Sequence, residues 1–269
     1  MRDSKRPPQR GFTLMELTVV LVIVALLLGG LLVPLGAQRD VEFMRSTEKS
    51  LTDIREALIG FAVINGRLPC PAQATIVSGA AGAGLEAVQA AGGPCACTAT
   101  SVATYSGGST CGTGSSVADF ATGVLPWATL GLLETDAWGN RYTYELSSLF
   151  GRANSGQTVF GGSCSPASNP SSAAFALCTA GAITLLTAAS GGTTLASGVP
   201  ALVLSHGANG KGAYNSQGTQ LTSASAGTDE GDNSDADATF VSNTTIDDRL
   251  VWIGAPQLMN RMMTAGKLP

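Results

Sequence analysis

The sequence predicts an α+β protein in which one long N-terminal helix is followed by short strands and long, disulfide-stapled loops. Residues 17–38 contain no charged side chain, and the segment after them repeats apolar residues at helical spacing. Residues 142–146 instead alternate apolar and polar side chains, as a strand does. Six cysteines are spread through the Gly-, Ser- and Thr-rich remainder. A helix that precedes such strands and loops indicates the α+β class.

The composition limits both the size of the fold and the kind of partner. The chain has 269 residues, of which 44% are hydrophobic, and this suffices for one sizeable domain and a membrane segment. The formal net charge is -4, and Arg2, Lys5, Arg6 and Arg10 concentrate basic charge at the N-terminus. Because the remainder is acidic, we expect no nucleic acid to bind through a basic face.

The uncharged run over residues 17–38 is 22 residues long, and a helix of about 20 residues crosses a membrane. Its basic N-terminal flank predicts a cytoplasmic N-terminus and export of the rest of the chain. A cleaved secretory signal fits poorly, because its best candidate site, Leu35-Gly36-Ala37, starts with a large residue. A lipoprotein signal fits poorly as well, because it needs a cysteine at the end of the apolar run and none precedes Cys70. A plain signal anchor fits the hydropathy but does not explain Glu16 at the edge of the run.

Glu16 belongs to the motif Gly11-Phe12-Thr13-Leu14-Met15-Glu16-Leu17, which leads into the apolar run. Residues 11–33 resemble the type IV prepilin family, which includes the pseudopilins of type II secretion. The resemblance implies cleavage after Gly11 by prepilin peptidase and N-methylation of Phe12. The freed amine has an ordinary pKa of about 8 and is largely cationic at pH 7. We expect Glu16 of one subunit to pair with the Phe12 amine of a neighbour, since either charge alone is costly in a packed assembly.

Beyond the apolar run the helix is predicted to continue with one apolar stripe. Leu51, Ile54, Leu58 and Phe61 recur at steps of three and four residues, with charged side chains between them. The Asn65-Gly66 pair is a stop signal. The first half of such a helix suits an assembly spine, and the second half suits docking against a globular headgroup.

The resemblance and these boundaries divide the chain into three parts. They are a basic leader over residues 1–11 that is cleaved, a helix over residues 12–65 with residues 12–38 in the membrane, and an exported headgroup over residues 66–269. The implied fold is a pilin-like α/β roll, with the long helix packed on a small antiparallel sheet. The implied role is a structural subunit, a minor pilin or pseudopilin, of a type II secretion pseudopilus or a type IV pilus.

The same resemblance implies partners and a location. The expected partners are prepilin peptidase, other pilin or pseudopilin subunits, an inner-membrane assembly platform and membrane lipid. The chain is expected in the bacterial inner membrane as a single-pass protein with a cytoplasmic N-terminus and a periplasmic headgroup, before it joins the filament. An exported adhesin-like or DNA-uptake module on the same anchor is the alternative function, although the acidic headgroup argues against DNA contact.

The cysteines of the headgroup predict disulfides. An even number of cysteines in an exported chain indicates three bridges in an oxidising compartment, while reduced thiols and a zinc site are the alternatives. The pairs Cys164–Cys178 and Cys97–Cys111 would close short loops and are the first choices. The six cysteines are Cys70, Cys95, Cys97, Cys111, Cys164 and Cys178.

Two segments of the headgroup combine a strand with a turn, and both resemble parts of the major pseudopilins. In residues 135–146 an Asp-x-Trp-Gly-Asn turn leads into the alternating strand, and in residues 200–212 a buried strand leads into a glycine-rich turn. Residues 247–253 are predicted to form a final strand. His206, the single histidine, is interpreted as a turn residue because no nucleophile or acid accompanies it in the sequence. We therefore expect no enzymatic activity.

An acidic segment, residues 228–237, holds five Asp and Glu side chains. In the major pseudopilins the corresponding loop binds calcium, which prefers hard oxygen ligands. The resemblance therefore implies a calcium site with Asp232, Asp235 and Asp237 as ligands, although the segment follows a long Ser- and Thr-rich insertion and lacks the EF-hand spacing. A solvated acidic loop without metal is the alternative. No other cofactor is expected.

Overall fold

The structure is a computed structural model that describes residues 11–87, 95, 120–151, 173–235 and 237–268. Residues 28–37 and 120 are described by their backbone alone. The chain divides into two compact units, Met1–Phe43 and Met44–Pro269. The second unit contains all the strands that the structure describes.

The first helix, α1, runs from Leu14 to Asn65 and has 52 residues. It ends at the Asn-Gly pair that the sequence marks as a stop. Gly66 has a φ of 72°, a backbone conformation that favours glycine, and its N–H donates to the carbonyl oxygen of Ala62 at 2.8 Å. The side-chain amide of Asn65 donates to the carbonyl oxygen of Phe61 at 2.9 Å, so that two carbonyls of the last turn are satisfied.

The second half of α1 supplies one wall of the main core. Leu51, Ile54 and Leu58 of the predicted stripe are buried, together with Ile59 and Ala62. Phe61, the predicted fourth member of the stripe, is half-buried at the rim of the core. The guanidinium of Arg67 lies 5.4 Å from the centroid of its ring. The stripe is therefore rotated slightly from the one that the sequence predicts, because positions 59 and 62 complete the apolar face of the helix.

Seven strands, three further α-helices and one short 3₁₀ helix, Ser148–Phe150, follow α1 within the described residues. The strands are β1 (Phe120–Val124), β2 (Thr143–Ser147), β3 (Ile183–Leu186), β4 (Thr194–Val199), β5 (Ala201–Ser205), β6 (Thr239–Val241) and β7 (Arg249–Ile253). The helices are α2 (Trp127–Leu130), α3 (Asp229–Asp232) and α4 (Ala255–Thr264). The three strands predicted near residues 142–146, 200–205 and 247–253 correspond to β2, β5 and β7.

These strands form two sheets. The larger sheet has the order β1-β2-β5-β7 and is antiparallel throughout. The smaller sheet has the order β4-β3-β6, in which β3 and β6 are parallel. The α+β class is confirmed, but the expectation of one small antiparallel sheet is corrected to two sheets, one of them mixed.

The larger sheet lies between the second half of α1 and the smaller sheet. Tyr144 of β2 and Val203 of β5 belong to the core cluster that contains the α1 residues. Leu202 and Leu204 of β5 belong to a second cluster, which they share with Phe240 of β6. Since successive side chains of a strand point to opposite faces, β5 is buried on both faces and serves both cores.

One disulfide joins Cys70 to Cys95. Cys178 also takes part in a disulfide. The other three cysteines lie outside the described residues, and the two predicted pairings, Cys164–Cys178 and Cys97–Cys111, each involve at least one of them. Within the described part of the chain no cysteine is free, which agrees with disulfides and not with reduced thiols.

The C-terminal helix α4 packs against the headgroup core. Leu258, Met259 and Met262 are buried in the same cluster as the second half of α1. Arg261 lies 2.8 Å from Glu56 of α1, and this ion pair joins the two helices at the surface. The C-terminal segment therefore completes the core.

Candidate functional site

Thr13 and Glu16 form a reciprocal cap at the start of α1. The backbone N–H of Thr13 donates to Oε2 of Glu16 at 3.1 Å, and the Thr13 hydroxyl donates to the same oxygen at 3.2 Å. The backbone N–H of Glu16 in turn donates to Oγ1 of Thr13 at 3.3 Å. This is the capping box of a helix N-terminus, with Thr13 as N-cap and Glu16 at the third helical position. Glu16 therefore has a structural role within its own subunit, which the Thr-x-x-Glu spacing in the sequence could have indicated.

The carboxylate of Glu16 retains an acceptor for a second donor. Both bonds from Thr13 end on Oε2, and among the described residues Oε1 accepts no hydrogen bond. The side chain is exposed and lies in the first turn of α1. A cation from outside the subunit can therefore approach Oε1 while the cap stays intact.

The predicted cleavage bond lies in an exposed segment that precedes the helix. Gly11 and Phe12 are outside α1, and 87% of the Phe12 side chain is exposed. A Cβ added to Gly11 would meet no atom within 4 Å. Within the described fold nothing requires glycine at this position.

The described side chains at the start of α1, over residues 14–27, are mostly apolar and point to all sides of the helix. Every residue from Gly11 to Leu27 is exposed, and Glu16 is the only charged residue among them. An apolar surface of this length is rare on a soluble protein and indicates contact with other protein or with lipid. The exposed large apolar residues of this stretch are Phe12, Leu14, Met15, Leu17, Val19, Val20, Leu21, Val22, Ile23, Val24, Leu26 and Leu27.

Among the residues whose side chains are described, no helix has the length and apolar character needed to cross a membrane. Residues 28–37, which belong to the predicted span over residues 12–38, lie outside that set.

One comparison with known proteins bears on this end of the chain. Residues 6–32 match the family model of the prokaryotic N-terminal methylation motif. The chain carries a prepilin-type signal. The motif covers the predicted cleavage bond, Glu16 and the start of the apolar run, and so the predicted resemblance to type IV prepilins is confirmed for this region. No curated protein and no solved structure matches the chain.

The Asp-x-Trp-Gly-Asn turn forms a buried corner between the larger sheet and α1. Oδ1 of Asp136 accepts hydrogen bonds from the backbone N–H groups of Trp138 and Asn140, at 3.0 and 2.9 Å. Its Oδ2 accepts from the hydroxyl of Ser205 at 2.6 Å, and burial raises the pKa of the carboxyl. The backbone N–H of Ala137, in the same turn, donates to the hydroxyl of Thr47 on α1 at 3.4 Å. The turn thus fixes β5 and α1 to each other.

His206 lies next to Ser205 in the chain, but its side chain is paired with Thr143 and not with the turn. Its Nε2 is 2.9 Å from Oγ1 of Thr143, and burial lowers the pKa of the imidazole to about 4, so that the ring is neutral at pH 7. Ser205 is bonded to Asp136 and not to His206. The serine, the histidine and the aspartate therefore do not form the relay that a hydrolase needs.

The predicted calcium ligands do not form a metal centre in the described part of the chain. No group of three or more His, Cys, Asp or Glu side chains there could hold a metal ion. Burial, followed by the neighbouring Asp237 and Asp232, raises the pKa of Asp235 to about 6. Oδ1 of Asp237 is already bonded to the backbone N–H of Thr239 at 2.6 Å. The side chains described here do not fit the calcium site that the resemblance implies.

Arg141 is a structural residue that the sequence analysis did not identify. Its side chain has no exposed surface, and its Nη2 and Nε lie 2.7 and 2.9 Å from one carboxylate oxygen of Glu134. Its Nη1 donates to the carbonyl oxygen of Ala74 at 2.7 Å, and its guanidinium lies 4.8 Å from the ring centroid of Trp127. Basic residues are scarce between positions 68 and 228, and this scarcity is the sequence feature that could have indicated a specific role for Arg141.

Proposed function

We propose that the protein is a structural subunit, a minor pilin or pseudopilin, of a type II secretion pseudopilus or a type IV pilus. The observation that carries the proposal is the start of α1, where residues 14–27 are exposed and mostly apolar on every side and Glu16 takes part in the N-terminal cap. Such a surface needs lipid before assembly and neighbouring helices after it. The methylation motif over the same residues supports this order of events.

Processing precedes assembly in this proposal. Prepilin peptidase cleaves after Gly11 and methylates Phe12, which leaves a cationic amine four residues before Glu16. In the filament, the free Oε1 of Glu16 accepts this amine from a neighbouring subunit. The pairing neutralises two charges that would each be costly among packed apolar helices.

The location and the remaining partners follow from the same mechanism. Before assembly the chain spans the bacterial inner membrane once, with the basic leader in the cytoplasm and the headgroup in the periplasm. An inner-membrane assembly platform then extracts it into the filament. The large headgroup, with its second sheet and disulfides, suits a minor subunit, whose size is less constrained by helical packing. The separate pairing of Ser205 and His206 supports a structural role and not an enzymatic one.

Photocrosslinking tests the assembly step. We expect a photoreactive amino acid in place of Leu21, whose side chain is 59% exposed, to give protein adducts with pilin-type subunits in the sheared filament fraction. The same substitution in a Gly11→Leu chain is the matched control, because an uncleaved chain should remain in the membrane without such adducts. Adducts to lipid alone in the processed chain would contradict assembly through α1 and would favour a simple anchor for an exported binding module.

A further inference from the structure

Three segments of the headgroup meet at two carboxylates. Glu230 belongs to α3, and Asp247 lies two residues before the start of β7. Asn209 and Lys211 lie in the glycine-rich turn after β5. A Cβ at Gly207, which has a φ of 57°, would collide with the backbone of Asp247, so that glycine allows the turn to pack directly on the residues before β7.

All four oxygens of these carboxylates accept hydrogen bonds from the turn. The side-chain amide of Asn209 donates to Oε1 of Glu230 and to Oδ1 of Asp247, both at 2.7 Å. Its backbone N–H donates to Oδ2 of Asp247 at 2.8 Å. The Lys211 ammonium donates to Oε2 of Glu230 at 2.9 Å. The turn therefore supplies a donor to every oxygen of these two carboxylates.

Lys211 supplies the positive charge of this network. The hydrogen bond from Lys211 lowers the pKa of Glu230, and the same bond raises the pKa of Lys211. A third carboxylate, that of Asp248, lies behind the pair and accepts from the side-chain amide of Asn233 at 2.8 Å. One ammonium thus faces several acids, and such a network stabilises more than an isolated surface ion pair does.

We propose that Lys211 is a built-in cation that fastens the acidic segment to the turn after β5, so that this part of the headgroup folds without calcium. Calcium needs six to eight oxygen ligands, whereas here the oxygens of Glu230 and Asp247 are occupied by donors of the chain itself.

Thermal unfolding of the full-length protein in detergent, followed by tryptophan fluorescence, tests the proposal. We expect the Tm to be the same in EDTA and in about 5 mM calcium, a concentration above the weak binding range of extracellular sites. Lys211→Gln should lower the Tm by about 2–4 °C, as expected for a domain of this size when one network contact is lost. Lys211→Arg, which keeps the charge, should recover most of the loss.

Lys49→Gln is the matched control, because Lys49 is exposed on α1 and has no ion pair among the described residues. Its Tm should stay at the wild-type value. A rise of the wild-type Tm on addition of calcium would overturn the proposal, since it would reveal a metal site that the lysine does not replace. A Lys211→Gln variant as stable as the control would overturn it as well.

Discussion

Replacing Glu16 with alanine is expected to reduce the amount of this protein in filaments by roughly 100-fold, because an unpaired amine would remain among packed helices at a cost of several kcal/mol. The cleaved chain should accumulate in the membrane instead. The measurement is quantitative mass spectrometry of sheared filaments against total membrane, with a headgroup peptide as the reporter. Normal recovery of the alanine variant in filaments would contradict the charge pairing.

The cap formed with Thr13 gives a second reason for Glu16 to matter, and two variants separate the two roles. Glu16→Gln can still cap the helix, since Gln also serves at the third position of a capping box, but it has no charge for the amine. Thr13→Ala loses the N-cap and keeps the carboxylate, at a local cost of about 1 kcal/mol. We expect Glu16→Gln to fail in assembly as alanine does, while Thr13→Ala assembles. The reverse pattern would assign Glu16 to capping alone.

Replacing Glu145 with glutamine is expected to stabilise the headgroup at pH 7 by about 1–3 kcal/mol, because glutamine cannot ionise and each unit of pKa difference between the folded and the unfolded chain costs up to about 1.4 kcal/mol. Glu145 lies on β2, has no exposed surface, and neither carboxyl oxygen has a hydrogen-bond partner. Its cross-strand neighbours are Thr122 and Leu202. It therefore lies on the face of β2 opposite Tyr144, away from the α1 core. Burial raises the pKa of Glu145 well above its ordinary value.

The direction of the pH dependence follows from that raised pKa. The unfolded chain releases the Glu145 proton near its ordinary pKa of 4.5, whereas the folded chain retains it to higher pH. Stability is therefore lost as the pH rises above about 4.5. The gain from Glu145→Gln should be small at pH 4 and grow towards pH 7, as measured by denaturant unfolding. Asp53→Asn, on the exposed surface of α1, should show no such trend, and a less stable Glu145→Gln variant at pH 7 would refute the assignment.

The elements that the sequence predicts well are those whose pattern is local. The apolar run, the three- and four-residue steps up to Leu58 and the Asn65-Gly66 stop together define α1, and alternation over residues 142–146 defines β2. The burial of Glu145 was not predictable in the same way, because alternation places it on a solvent face. The second sheet covers that face, and its strands β3, β4 and β6 are short, with four, six and three residues.

The same distinction explains the outcome for the candidate sites. The prepilin-type motif is contiguous, so its residues could be identified from the sequence. The contacts of Lys211 and Arg141 join positions far apart in the chain, at Glu230 and Ala74, and depend on turns whose geometry the sequence does not specify. The calcium prediction considered acids near one another in sequence, whereas Glu230, another acid of the same segment, contacts a lysine 19 residues away.

The N-terminal mass of the protein, from cells with and without an active prepilin peptidase, tests the central claim most directly. The account predicts a mature chain that begins at N-methyl-Phe12 only when the peptidase is active, and a chain that retains Gly11 and the basic leader when it is not. A chain that keeps its leader in both cells would contradict the account, because the Phe12 amine would not exist and Glu16 would have no partner in a filament.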